Sequence, residues 1–254
     1  MIQRYFIELA YNGTRFHGWQ VQPNAKSVQG LLEHALGTIC REKISVTGAG
    51  RTDTGVHASY FVAHFESEKE NLDHPDFTYK LNSFIGTDLV IYRITLVSQD
   101  THARFSAISR TYHYYLTQRK DPFAQETSWY FKRALDVNKM NFACAVLFDY
   151  SDFTSFSRLH TDVKTNNCKV FYARWSQKGH QLVFTIKADR FLRNMVRAIV
   201  GTMIEIGQGK LSIDEFKKII EAKDRGAAGA SAPAEGLFLA NIVYPEELFQ
   251  RTVD

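Results

Sequence analysis

The chain has 254 residues, of which 44% are hydrophobic and 23% charged, with a net charge of +4 and a sequence pI of about 8.8. That balance excludes a disordered or low-complexity chain and leaves room for one large domain or two smaller ones. Mild basicity permits nucleic-acid binding through local patches without demanding it, and three widely spaced cysteines (Cys40, Cys144, Cys168) exclude a disulfide framework or a CxxC zinc site and suit a reducing compartment.

From the N-terminus, Met1–Phe6 contains no long apolar run, so no signal peptide is expected. No stretch approaches the length of a membrane span, which makes the cytoplasm the expected location. Arg4–Leu9, rich in aromatic and β-branched residues, predicts a strand. The loop Tyr11–Gln20 follows, with an Asn12-Gly13 turn and two large aromatics, Phe16 and Trp19. Those rings either embrace a partner or plug the local core. Ser27 is a candidate N-cap for a helix whose apolar positions are Val28, Leu31, Leu32, Ala35, Leu36 and Ile39. A strand at Ile44–Thr47, a glycine-rich turn and a strand at Ser59–Phe65 come next, then a helix at Phe77–Ile85 and a strand at Leu89–Val97.

His102-Ala103-Arg104-Phe105-Ser106-Ala107 links the halves. The second half predicts strands at Ser109–Leu116, Val170–Trp175, Leu182–Ala188 and Gly236–Tyr244. Helices are predicted at Val137–Phe148, at Phe191–Ile206 and, opened by the capping box Ser212–Glu215, up to Ala222, with a flexible small-residue loop from Gly226 to Pro233. The pattern predicts an α+β fold of two similar lobes, 1–104 and 105–254, each a mostly antiparallel sheet covered by helices, with the active-site cleft between them.

The chemically dense stretch is Gly48-Ala49-Gly50-Arg51-Thr52-Asp53-Thr54-Gly55-Val56-His57-Ala58. Its glycines allow close backbone approach or positive φ. It is not a Walker loop, because no lysine follows the glycines, and not a Rossmann turn, because a strand rather than a helix follows. Metal is not expected, since His57 and His64 fall on opposite strand faces by parity and no acidic cluster accompanies them. Asp53-Thr54-Gly55 matches the aspartic-protease triplet, but that chemistry needs two carboxylates and the chain has one such triplet. What remains is a structural Asx turn or a nucleophilic Asp53 kept ionised by a cation, Arg51 or one from the other lobe such as Arg197. A nucleophilic aspartate among basic and aromatic residues suits chemistry on a flipped-out base.

Seven ordered motifs carry a resemblance: Tyr11–Gln20, Gly50–His57, His102–Ala107, Arg110–Tyr114, Asp152–Phe156, Met195–Gly201 and Ala234–Leu237. On these the chain resembles the tRNA pseudouridine synthases of the TruA type over nearly its whole length. The resemblance implies an isomerase that converts uridine to pseudouridine at positions 38, 39 and 40 of the tRNA anticodon stem-loop, works as a homodimer with tRNA across both subunits, and needs no cofactor and no metal. It puts the essential nucleophile on Asp53 and its arginine partner on Arg197. Tyr112 would stack on the target uracil, Arg51 and Arg104 would hold phosphates or help flip the base, and Leu237 would line the pocket. Asn12 and Thr54 depart from the residues common there (Asp and Ala), which bears on substrate choice rather than activity. A non-catalytic RNA-binding protein or RNA chaperone is the rival reading.

Overall fold

The structure, a computed structural model, describes residues 1–158 and 165–249; the expected second domain, 105–254, therefore includes residues outside the described ones. Two units emerge, one formed by Met1–Ile108 with the segment from Leu239 onward, the other by Ser109–Phe238.

The first unit is built on β1 (Gln3–Tyr11), which is flanked antiparallel by β3 (His57–Ser67) and β4 (Leu89–Val97). The short β2 (Val46–Gly48) extends the pairing on β3, and the returning β9 (Leu237–Val243) lies next to β3 in the strand order. Tyr5, Phe6, Ile7 and Leu9 are all fully buried, so β1 is covered on both faces and shows no apolar–polar alternation. Glu8, buried among them, is matched by Arg93 at 2.6 Å and by the Tyr60 hydroxyl, which donates to it at 2.9 Å. A buried carboxylate without such partners would be strongly disfavoured.

The helix α1 (Val28–Cys40) begins where Ser27 Oγ accepts from the Gly30 amide, as the sequence predicts. It buries Val28, Leu32, Ala35, Leu36 and Cys40, each large aliphatic side chain contributing roughly 1.5–3 kcal/mol. The helix α2 (Pro75–Ile85) packs on α1 and β4; its N-cap is His74, followed by a proline whose missing amide hydrogen costs nothing at that position.

The second unit pairs β5 (Ser109–Thr117) antiparallel with β8 (Gln181–Ala188), and β8 with β7 (Val170–Lys178). A two-residue parallel strand, β6 (Trp129–Tyr130), adds to β5 and was not expected from sequence. The helices α3 (Val137–Val146), α4 (Met195–Gly207) and α5 (Ile213–Ala222) complete it, α3 touching β7, α4 and α5. The capping box that opens α5 is formed in both directions between Ser212 and Glu215. The helix expected from Phe191 starts only at Met195. Asn194 sits at φ 67°, a left-handed conformation that asparagine tolerates and that ends helical geometry upstream. Among the described residues no helix is long and apolar enough to cross a membrane.

A buried histidine anchors the segment that follows β4. His64, on β3, accepts a hydrogen bond from the Ala103 amide at Nδ1, 3.1 Å away. Burial pushes its pKa down to about 4, with His102 and Arg4 adding and Glu66 opposing. The folded state thus refuses a proton that the unfolded chain accepts below about pH 6.5. Stability from this group is complete above pH 6.5 and falls as the pH drops toward 4, by at most about 1.4 kcal/mol per pH unit. Urea unfolding of wild type and His64→Asn at pH 7 and pH 5 checks this: the wild type should lose roughly 2 kcal/mol more than the variant on acidification. Equal losses would contradict the assignment.

Candidate active site

The turn that carries Asp53 is fixed from outside as well as within. The Val56 amide donates to the Asp53 carbonyl at 3.1 Å, and Gly55 takes φ 77°, in the left-handed region that favours glycine. The loop after β1 then braces it. The Trp19 amide donates to the Thr52 carbonyl at 3.2 Å and the Gly55 amide to the Phe16 carbonyl at 3.4 Å. The Gly13 amide donates to His57 Nδ1 at 3.0 Å, and the Tyr11 and Thr52 hydroxyls lie 2.9 Å apart. Such contact between two backbones excludes side chains. A Cβ on Gly18 would stand 2.4 Å from the Thr52 carbonyl oxygen, and one on Gly13 would stand 2.0 Å from that of Val56. Gly18 also holds φ 86°.

Phe16 and Trp19 plug the local core. They are 1% and 2% exposed, and Trp19 stacks on Phe61 with ring centroids 4.2 Å apart. The indole occupies the space where a side chain on Gly48 would be, with its nearest atom 2.6 Å from an added Cβ. Asp53 is left half-buried and Arg51 exposed. His57 is buried, and its Nδ1, accepting from the Gly13 amide, ties the end of the turn to the loop after β1. A bulge in β3 between Ala58 and Phe61 lies between His57 and His64, so counting by twos does not assign their faces. What separates them is their use: one accepts from Gly13, the other from Ala103. Among the described residues no group of His, Cys, Asp and Glu could hold a metal ion.

In the second unit, Tyr112 is half-buried on β5, its ring edge-on to Phe191 with centroids 5.0 Å apart. Arg197, half-buried on α4, donates from Nε to the Ala232 carbonyl at 2.7 Å, and the Ala232 amide returns a bond to the Arg197 carbonyl at 2.9 Å. The small-residue segment before it, expected to be flexible, is tied down along its length. Asn194 Nδ2 donates to Ser231 Oγ at 2.6 Å, the Gly229 amide to Thr202 Oγ1 at 3.0 Å, and Arg225 reaches Ser231 Oγ at 2.9 Å. Gly201 permits this approach, since an added Cβ would meet the Ala230 carbonyl oxygen at 1.8 Å. Tyr114, buried two residues beyond Tyr112, donates to the Pro233 carbonyl at 2.9 Å. Burial pushes its phenol up, Glu235 adds to the effect, and the Arg197 charge opposes it. Leu237 is 6% exposed at the start of β9.

Arg51, Asp53 and Arg104 therefore belong to the first unit, and Tyr112, Arg197 and Leu237 to the second. Arg51 and Asp53 share one turn; Arg104 lies on the separate segment that His64 anchors. Sequence reasoning missed the Tyr11–Thr52 hydroxyl pair and the His64 anchor. A histidine inside the otherwise apolar run Phe61–Phe65 was the available signal for the second. A hollow of about 400 Å³ beside β7, lined by Phe148, Tyr150, Cys168 and Lys169 among others, holds none of the six designated residues.

A sequence profile described as tRNA pseudouridine synthase matches residues 9–112 and 143–245. The chain is 57% identical over 250 residues to the tRNA pseudouridine synthase A of Porphyromonas gingivalis, covering 97% of this chain and 99% of that protein. It is 56% identical to its counterpart in Bacteroides fragilis, over 98% and 99% of the two chains. It is 37% identical to that of Bacillus subtilis, over 93% and 97%. All six designated residues fall within the matched stretches.

The close approach around Thr52 makes a measurable claim. Gly18→Ala must relieve both a contact with backbone and a positive φ, and is expected to cost at least about 2 kcal/mol. Gly50→Ala, in the same stretch with nothing within 4 Å of an added Cβ, should change stability by less than about 1 kcal/mol. Urea denaturation of the two variants checks this, and equal costs would contradict the interlock.

Proposed function

Because the chain belongs to the tRNA pseudouridine synthase family, we propose that it converts uridine to pseudouridine at positions 38, 39 and 40 of the tRNA anticodon stem-loop. The observation that carries this is near-full-length identity above one half to proteins of that name, with Asp53 on a turn braced by its neighbours. The reaction is an isomerisation: the bond from N1 to the ribose carbon breaks, the base rotates, and C5 bonds to that carbon, losing its hydrogen as a proton while the freed N1 takes up a proton. No electrons are gained or lost, so no redox partner is required.

In this reading Asp53 is the nucleophilic carboxylate and Arg197 the cation that keeps such a carboxylate ionised. Tyr112 stacks on the target uracil, Leu237 lines the pocket, and Arg51 and Arg104 hold phosphates or help turn the base out of its stack. The positive net charge suits a polyanionic substrate. The enzyme acts as a homodimer with tRNA lying across both subunits, in the cytoplasm, where its three free thiols (Cys40, Cys144, Cys168) stay reduced. An RNA chaperone without catalysis would give no reason to keep the carboxylate in this setting.

Release of tritium from tRNA labelled at uridine C5 tests the assignment. Wild type should release label, and Asp53→Asn should be slower by more than about a thousandfold. Full activity of Asp53→Asn would refute the role of the carboxylate, and a silent wild type would refute the isomerase.

A further inference from the structure

The segment between β4 and β5 is held with unusual thoroughness for a connection. Ala103 is fully buried; its amide donates to His64 Nδ1 at 3.1 Å and its carbonyl accepts from the Tyr244 hydroxyl at 2.5 Å. Arg4 donates to the Thr101 carbonyl at 3.0 Å. Around the next bend His102 acts as the buckle. Its Nδ1 accepts from the amides of Arg104 at 3.1 Å and Phe105 at 3.3 Å, while its main chain exchanges bonds with Ser106 at 3.0 Å and 2.9 Å. The His102 ring packs edge-on to His64 at 4.6 Å and against Phe105 at 4.4 Å.

All this ordering presents a large apolar ring to water. Phe105 is 76% exposed, and the Arg104 guanidinium carbon lies 5.5 Å from its centroid. Single exposed rings are ordinary on a protein surface; what distinguishes Phe105 is the hydrogen-bonded main chain beneath it and the guanidinium beside it. An exposed aromatic face beside a guanidinium, rigid before binding, is the chemistry that receives an unstacked nucleic-acid base. We propose that Phe105 is a stacking platform for a base of the RNA substrate and that His102 is its positioning residue. The inference rests on the reading that the substrate is RNA, and deepens it by adding a contact that grips the RNA through a base face.

Steady-state kinetics on tRNA test it. Phe105→Ala and Phe105→Leu should each raise KM about tenfold, because Leu keeps apolar bulk and loses the π face, whereas Phe105→Trp should stay within about threefold of wild type. His102→Ala should shift KM in the same direction. His102→Asn, whose side-chain oxygen can accept from the same two amides, should recover part of the loss. Phe123→Ala removes a more exposed ring, 95% accessible on another loop, and should leave KM unchanged. Wild-type KM for Phe105→Leu, equal losses for Phe105→Ala and Phe123→Ala, or a change in sedimentation showing that the ring belongs to a protein interface would each overturn the inference with the isomerase reading intact. An inactive wild type would overturn both.

Discussion

Two backbones, those of the loop after β1 and of the turn between β2 and β3, run closer together than side chains allow, and the placement of Asp53 follows from that approach. Gly13 and Gly18 are the residues that make it possible, and the carbonyls of Thr52 and Val56 are what they approach. Two of the hydrogen bonds across the gap, Trp19 to Thr52 and Gly55 to Phe16, use main-chain groups on both sides, so neither loop can shift without stranding the polar atoms of the other. Trp19 closes the arrangement from below, stacked on Phe61 and filling the space beside Gly48. The carboxylate is thus carried on a main chain that is already immobilised, which is what a group required to meet a reacting atom at a fixed distance needs.

The same device recurs in the second unit with different residues. Gly201 on α4 admits the backbone near Ala230, and Arg197 and Ala232 lock it by exchanging hydrogen bonds. Arg197 has therefore two duties in the proposed enzyme, as a cation and as a clamp on the segment ahead of Leu237. A variant at Arg197 would loosen structure as well as remove charge, which is why the carboxylate is the cleaner probe of chemistry.

Elements whose signal is local were legible in the sequence. The Ser27 cap, the periodicity of α1, the Ser212–Glu215 box and the span Leu89–Val97 all appear where expected. What escaped depends on distant partners. The two residues of β6 become a strand only by pairing with β5. The return of the chain from Leu239 to the first unit is a long-range pairing that no window of sequence contains. Asn194 shortened α4 because one left-handed residue overrides the apolar period around it. At the site, the turn from Gly48 to Ala58 was legible from its glycines, of which Gly55 takes a positive φ. The bracing by Phe16, Gly18 and Trp19 was not, since a loop that plugs a core and one that embraces a partner carry the same aromatic residues. The order in the Gly226–Pro233 segment was hidden too, because small residues signal freedom unless the helix they dock against is known.

The central claim is that the position of the carboxylate, set by the interlocked loops, makes the reaction possible. Asp53→Glu tests it most directly, since it keeps the charge and the acid and displaces them by one methylene. Turnover of C5-tritiated tRNA by this variant should fall by about a hundredfold or more, while tRNA affinity and the urea midpoint remain near those of wild type. Turnover within tenfold of wild type would contradict the account, because a carboxylate free to act from a shifted position would owe nothing to the glycines that hold the turn.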